Sequence, residues 1–154
     1  MSSVLPTTET EINFFISAFE ACTLPNEHWT HAAHIYTAAC YVHSFGEAYA
    51  IDRMRKCIQA YNLTVAGKNT PTSGYHETVT AFWIKLIDSA LAMWSPIGRA
   101  DFATRAVTEF SPLRTVFANH YDFDILASPE ARATWIEPLR AISVNSLEPP
   151  QPQC

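Results

Sequence analysis

The sequence predicts an all-α protein, a single-domain bundle of five to seven helices. Apolar residues recur at spacings of three and four along most of the chain, periodic stretches open on capping residues or on Ser-Pro, and no alternating run has a partner strand. At 154 residues the chain matches the roughly 150 typical of one domain, long enough for a real core. A flexible N-terminus is expected at 1–8, the helical domain at 9–141 and a disordered Pro-rich tail at 142–154, ending in Glu148-Pro149-Pro150-Gln151-Pro152.

The first helix, roughly 9–22, follows the capping box Thr8-Glu9-Thr10-Glu11 and carries Ile12, Phe15, Ile16, Phe19 and Cys22. Asn26 can cap a second, roughly 27–43, with Ala32, Ile35, Ala38, Ala39 and Val42 as its stripe. Ser44-Phe45-Gly46-Glu47 opens a third, with Ile51, Met54, Ile58 and Tyr61 at clean helical spacing to about residue 61. From 62 to 73 the chain has no period, long against the usual ~4–6 residues of a connection. Thr72 or Ser73 is the expected cap of the fourth helix, which carries Val79, Phe82, Trp83, Leu86, Ile87, Ala90 and Trp94. A fifth is expected over 101–110, a short sixth from Pro112 to about Asn119, and a last from Pro129 to Pro138. Tyr121 to Ile125 alternates like a short strand with no partner.

Ten basic against fifteen acidic residues leave a net charge of −5, so no field draws in a phosphate backbone and nucleic acid is not an expected partner. Only 16% of residues are charged while 48% are hydrophobic, which points to apolar surface left uncovered and to self-association as a homodimer. With no membrane-length apolar run, no signal peptide in the polar start and four scattered cysteines, a cytoplasmic protein with reduced thiols is expected.

Position separates the six histidines. At about 100° per residue, Ile35, Ala38 and Val42 lie within about 40° of His31, and His34 about 60° to one side. In the fourth helix Val79, Trp83, Ile87, Ala90 and Trp94 fall within about 60° of His76, while Glu77 groups with Lys85 and Asp88 toward solvent. Short connections make consecutive helices antiparallel, so the second and fourth run the same way and their first turns share a layer. His31, His34 and His76 are therefore expected to converge.

Three imidazoles with an open position form a catalytic zinc pattern, and two with a carboxylate a non-haem iron site, so a divalent transition metal, zinc or iron, is the expected cofactor. Helix N-termini disfavour protonated histidine and favour the neutral ligand form. Glu77, or Glu27 four residues before His31, is the candidate base or fourth ligand, and Tyr75 the candidate donor to an oxyanion. Trp29 and Trp83 are expected as pocket walls, Asn69 and Thr72 as part of a cradle over the layer, and Arg114 as a carboxylate clamp. A His pair at this spacing on an apolar face is, however, more often a satisfied core pair.

The motifs Trp29-Thr30-His31-Ala32-Ala33-His34 and Asn69-Thr70-Pro71-Thr72-Ser73-Gly74-Tyr75-His76-Glu77-Thr78 resemble those of a family of small, functionally uncharacterised all-helical proteins. The likeness spans about 14–139 and includes Ser128-Pro129-Glu130-Ala131-Arg132 and Trp135-Ile136-Glu137-Pro138. An Asp often stands in that family where this chain has Pro71. The resemblance implies a helical fold and supports the choice of motifs; it brings no reaction.

The first expectation is a small metal-dependent enzyme, a hydrolase or lyase, acting on a small polar metabolite by hydrolysis, elimination or rearrangement. The second is a metal-free His acid/base isomerase, dehydratase or cyclase. The third is a non-catalytic helical module that binds a ligand or partner. No phosphate loop, dinucleotide fingerprint, G-x-S-x-G elbow or H-E-x-x-H occurs.

Overall fold

Thr8 and Ser128, hydroxyls expected at helix starts, accept the amides of Glu11 and Ala131 at 3.2 and 3.1 Å, and Thr30, in place of the expected Asn26, accepts that of Ala33 at 3.1 Å. In the computed structural model, which describes residues 5–65 and 67–147, these caps open α1 (Glu9–Glu20), α2 (His31–Phe45) and α6 (Pro129–Ala133). The other helices are α3 (Glu47–Val65), α4 (Glu77–Trp94) and α5 (Arg99–Phe110). Single 3₁₀ turns stand at Asn26–His28, Val116–His120, Ile125–Ala127 and Val144–Leu147. The protein is all-α, with no strand among the described residues. None of its described helices is long and apolar enough to cross a membrane.

α2 is the axis of the fold, packed against α3, α4 and α5. Residues 35–42 are all buried, because helices on several sides leave α2 no solvent face there. Phe82, Leu86 and Ile87 of α4, Phe102 and Ala106 of α5, and Ile12 and Phe19 of α1 close the core around it. Each such large side chain contributes ~1.5–3 kcal/mol through its burial. Tyr61 on α3 donates to the Leu24 carbonyl at 2.7 Å and fixes the α1–α2 connection.

Several boundaries differ from the sequence reading. α2 starts at His31 because Thr30 supplies the cap, so Asn26 begins only one 3₁₀ turn. Neither Thr72 nor Ser73 caps α4; its cap is His76. The loop runs on because Gly74 takes a positive φ of 85° and the Asn69 carbonyl oxygen holds the Tyr75 amide at 3.1 Å. The expected sixth helix is reduced to turns and the 3₁₀ turn at Val116–His120. α6 stops at Ala133 because Thr78 of α4 claims the next stretch, donating to the Thr134 carbonyl at 2.8 Å and accepting the Ile136 amide at 3.2 Å. Tyr121–Ile125 forms no strand.

At the ends, Pro6 is buried and its carbonyl accepts the Tyr36 hydroxyl at 2.8 Å. Residues 144–147 form a 3₁₀ turn in which the Ser146 hydroxyl meets Nε2 of the buried His120 at 3.1 Å. The rest of the expected tail, 148–154, lies outside the described residues, as do 1–4.

Candidate functional site

The first turn of α2 brings His31 and His34 to one pocket of about 100 Å³ between α2, α3 and α4. Met54 and Ile58 of α3 and Val79, Thr80, Trp83 and Ile84 of α4 complete most of its wall. The Trp83 ring meets His31 edge-on at 5.5 Å, and Trp29 lies 4.1 Å from His34 with Phe19 stacked on its other side. Both tryptophans expected as walls are therefore against the two histidines. A volume of 100 Å³ takes a few waters or a molecule smaller than benzene, which fills a cavity of about 150 Å³.

Nε2 of His31, Nε2 of His34 and Nε1 of Trp29 are buried without a hydrogen-bond partner among the described residues. Such atoms cost about 1–3 kcal/mol each and are rare. Two of the three, on His31 and His34, belong to side chains that line the pocket. Burial lowers the pKa of His31, helped by the Arg114 charge. The pKa of His34 falls to about 4, by burial first and then by the His31 ring beside it. Both imidazoles are neutral at pH 7.

His76 is not with them. It is buried at the α4 cap, where Nδ1 accepts the Val79 amide at 3.2 Å and Nε2 meets the Ile125 carbonyl at 2.8 Å. An amide only donates and a carbonyl only accepts, so the ring is the neutral Nε2–H tautomer with both nitrogens engaged. The first turns of α2 and α4 both line the pocket, but the His76 ring is bonded to Ile125, in the segment before α6. Among the described residues no group of three His, Cys, Asp or Glu side chains is placed to hold a metal ion.

Glu77 does not lean toward solvent. It is 7% exposed, and its carboxylate accepts Nε and Nη2 of Arg55 at 2.7 and 3.0 Å and the Tyr75 hydroxyl at 2.9 Å. Burial and the Glu77 charge raise the Tyr75 pKa. Tyr75 and Glu77 thus form a closed lock with Arg55 and line a different groove from the histidine pocket. Glu27 is exposed on the 3₁₀ turn before α2, and neither it nor Arg114, also exposed, is part of the pocket wall.

The 69–75 loop is no cradle over the histidines. Asn69 spends its amide tying the loop to the end of α3, accepting from Asn62 and Tyr75 and donating to the Gln59 carbonyl. Thr72 is exposed, with its amide on the Thr70 hydroxyl at 3.3 Å. Residues absent from the sequence-based site include Thr80, Met54 and Ile58 among the pocket lining and Arg55 on Glu77. Met54 and Ile58 were visible as the α3 stripe and Thr80 as one turn before Trp83; nothing in the sequence announces Arg55.

No family model, curated protein or solved structure matches the chain.

Proposed function

We propose that the protein is a metal-free acid–base enzyme, an isomerase, dehydratase or cyclase, whose site is the pocket of His31 and His34. The observation that carries this reading is the pair of buried, unpartnered Nε2 atoms in one small cavity. An imidazole whose pKa is pushed to about 4 is a weak base near neutrality, so His34 acts as the neutral donor that holds a carbonyl or hydroxyl oxygen. His31, less deeply placed, takes a proton from the carbon next to that oxygen and returns it. Thr80 adds a side chain whose hydroxyl is shared with that of Tyr75, and the apolar wall of Ile35, Ala38, Ile58 and Ile84 selects a substrate that is uncharged where it enters. The three-imidazole metal site loses its support because both nitrogens of His76 are committed elsewhere.

Exchange of solvent deuterium into small ketones and aldehydes, followed by proton NMR, tests the reading without a known substrate. Hydroxyacetone and its near homologues suit the volume. Wild type is expected to speed exchange by about 10²-fold or more, the lower end for a positioned base, and His31→Gln to lose it. Equal rates for wild type, His31→Gln and buffer contradict it.

A further inference from the structure

On α3 and α6, beside the 67–76 loop, a groove of about 330 Å³ is lined by side chains distinct from those of the histidine pocket. Its charged members are Arg55, Glu77 and Arg132. Arg55 and Glu77 cancel in their forked ion pair. Arg132 does not cancel: Nη1 donates to the carbonyls of Gly74 at 2.8 Å and Tyr75 at 3.4 Å, and Nη2 reaches the Leu126 carbonyl at 3.4 Å. Among the described residues no carboxylate lies within ion-pair distance of it. Carbonyls hold a guanidinium in place but leave its charge intact.

Three consequences follow from that placement. The groove carries one net positive charge in a chain whose net charge is −5, so anions meet a local attraction and not a diffuse basic field. Among the described residues nothing accepts the Arg132 Nε–H, which remains for a guest on the edge of a planar guanidinium suited to an oxyanion. Pro71, Pro129 and Ala133 wall the groove with non-polar surface, which strengthens a charge-assisted bond made beside them. The exposed Gln59 adds an amide to the lining, and its own backbone carbonyl is already taken by Asn69.

We propose that this groove is a binding site for a small oxyanion, the carboxylate or phosphate group of a metabolite, with Arg132 as its anchor and Gln59 as a second donor.

The test is NMR titration of the full ¹⁵N-labelled chain with inorganic phosphate and, separately, with acetate, at constant ionic strength set with chloride. Saturable shifts of the Arg132 Nε–H and the Gly74 amide are expected with at least one of the two, and which one saturates assigns the group. Arg132→Ala removes a clamp on the loop, so two gentler variants carry the result. Arg132→Lys keeps the charge without the fork, and Gln59→Glu places a negative charge in the lining without touching the loop's hydrogen bonds. Each should weaken binding about tenfold, the loss of one charge-assisted hydrogen bond, while the remaining amide spectrum stays as in wild type. Shifts that are linear with both anions, or saturable shifts that neither substitution weakens, overturn the proposal.

Discussion

Nε2 of His76 donates to the Ile125 carbonyl across 2.8 Å while Nδ1 of the same ring caps α4 through the Val79 amide. One imidazole thereby joins the start of α4 to the turn that leads into α6, and a buried histidine at the expected depth serves architecture. Replacement by Asn keeps an oxygen at the cap and forfeits the bond to Ile125. His76→Asn should lower stability by about 1 kcal/mol, read from urea unfolding. Its spectra around His31 and His34 should stay unchanged; large shifts there would place His76 in the pocket after all.

A metal held by three imidazoles would resist removal and stabilise the fold. Because His76 has no nitrogen to give, neither chelator nor added zinc should move the thermal midpoint by more than about 1 °C, against the ~4–8 °C that 1 kcal/mol produces in a domain of up to 100 residues and about half that at larger size. A stoichiometric zinc-dependent rise of several degrees, lost in His76→Asn, would restore the three-histidine site.

Acid should destabilise the protein through His34. Its folded pKa, about 4, lies below the ordinary 6.5, so the unfolded chain takes up the proton first as pH falls. The stability this neutral ring represents is present above pH 6.5 and is lost progressively between 6.5 and about 4, at most ~3 kcal/mol from the size of the shift. His31, His76 and His120 are shifted the same way by burial. Unfolding free energies at pH 7.5 and pH 4.5 should differ less for His34→Gln than for wild type; an equal difference would mean that the ring is already charged or exposed.

Of the two glycines in the 67–76 loop, Gly74 is the less able to change. A Cβ there would lie 2.7 Å from the Lys68 carbonyl oxygen and 2.8 Å from Asn69 Oδ1, on a backbone with φ of +85°. At Gly67, φ is +80° but among the described residues no atom beyond its chain neighbours lies within 4 Å of such a Cβ. Both alanine variants meet the same backbone penalty, so the contrast isolates the clash. Gly74→Ala should cost about 2 kcal/mol more than Gly67→Ala in chemical denaturation; equal costs would show that the Asn69 contacts yield freely.

Ser44, expected to open α3, lies inside α2, and α3 begins at Glu47; legible in the sequence are the clean apolar periods of α1 and α3, the Thr8 cap of α1, and the inward turn of His31 and His34. Their period continues through Ile35, Ala38 and Val42 on one side of a helix whose other sides are also buried. His76 escaped for a definite reason: a projection at 100° per residue treats it as helical, whereas at the cap its φ is −131° and its ψ 110°. Glu77 was placed with Lys85 and Asp88 because the projection sees one helix at a time. The partner that buries it, Arg55, comes from α3, 22 positions earlier. The end of α6 was likewise set from outside, by the Thr78 hydroxyl.

Two-bond ¹⁵N–¹H spectra of the histidine rings at pH 7, recorded with increasing acetamide, interrogate the pocket itself. Acetamide is neutral, fits the volume and offers one acceptor and two donors. Nε2 of His31 and of His34 should read as neutral imidazole nitrogens and shift together and saturably, with His76 and His120 still. Charged rings at pH 7, or Nε2 signals that ignore the amide, would contradict the two-histidine site.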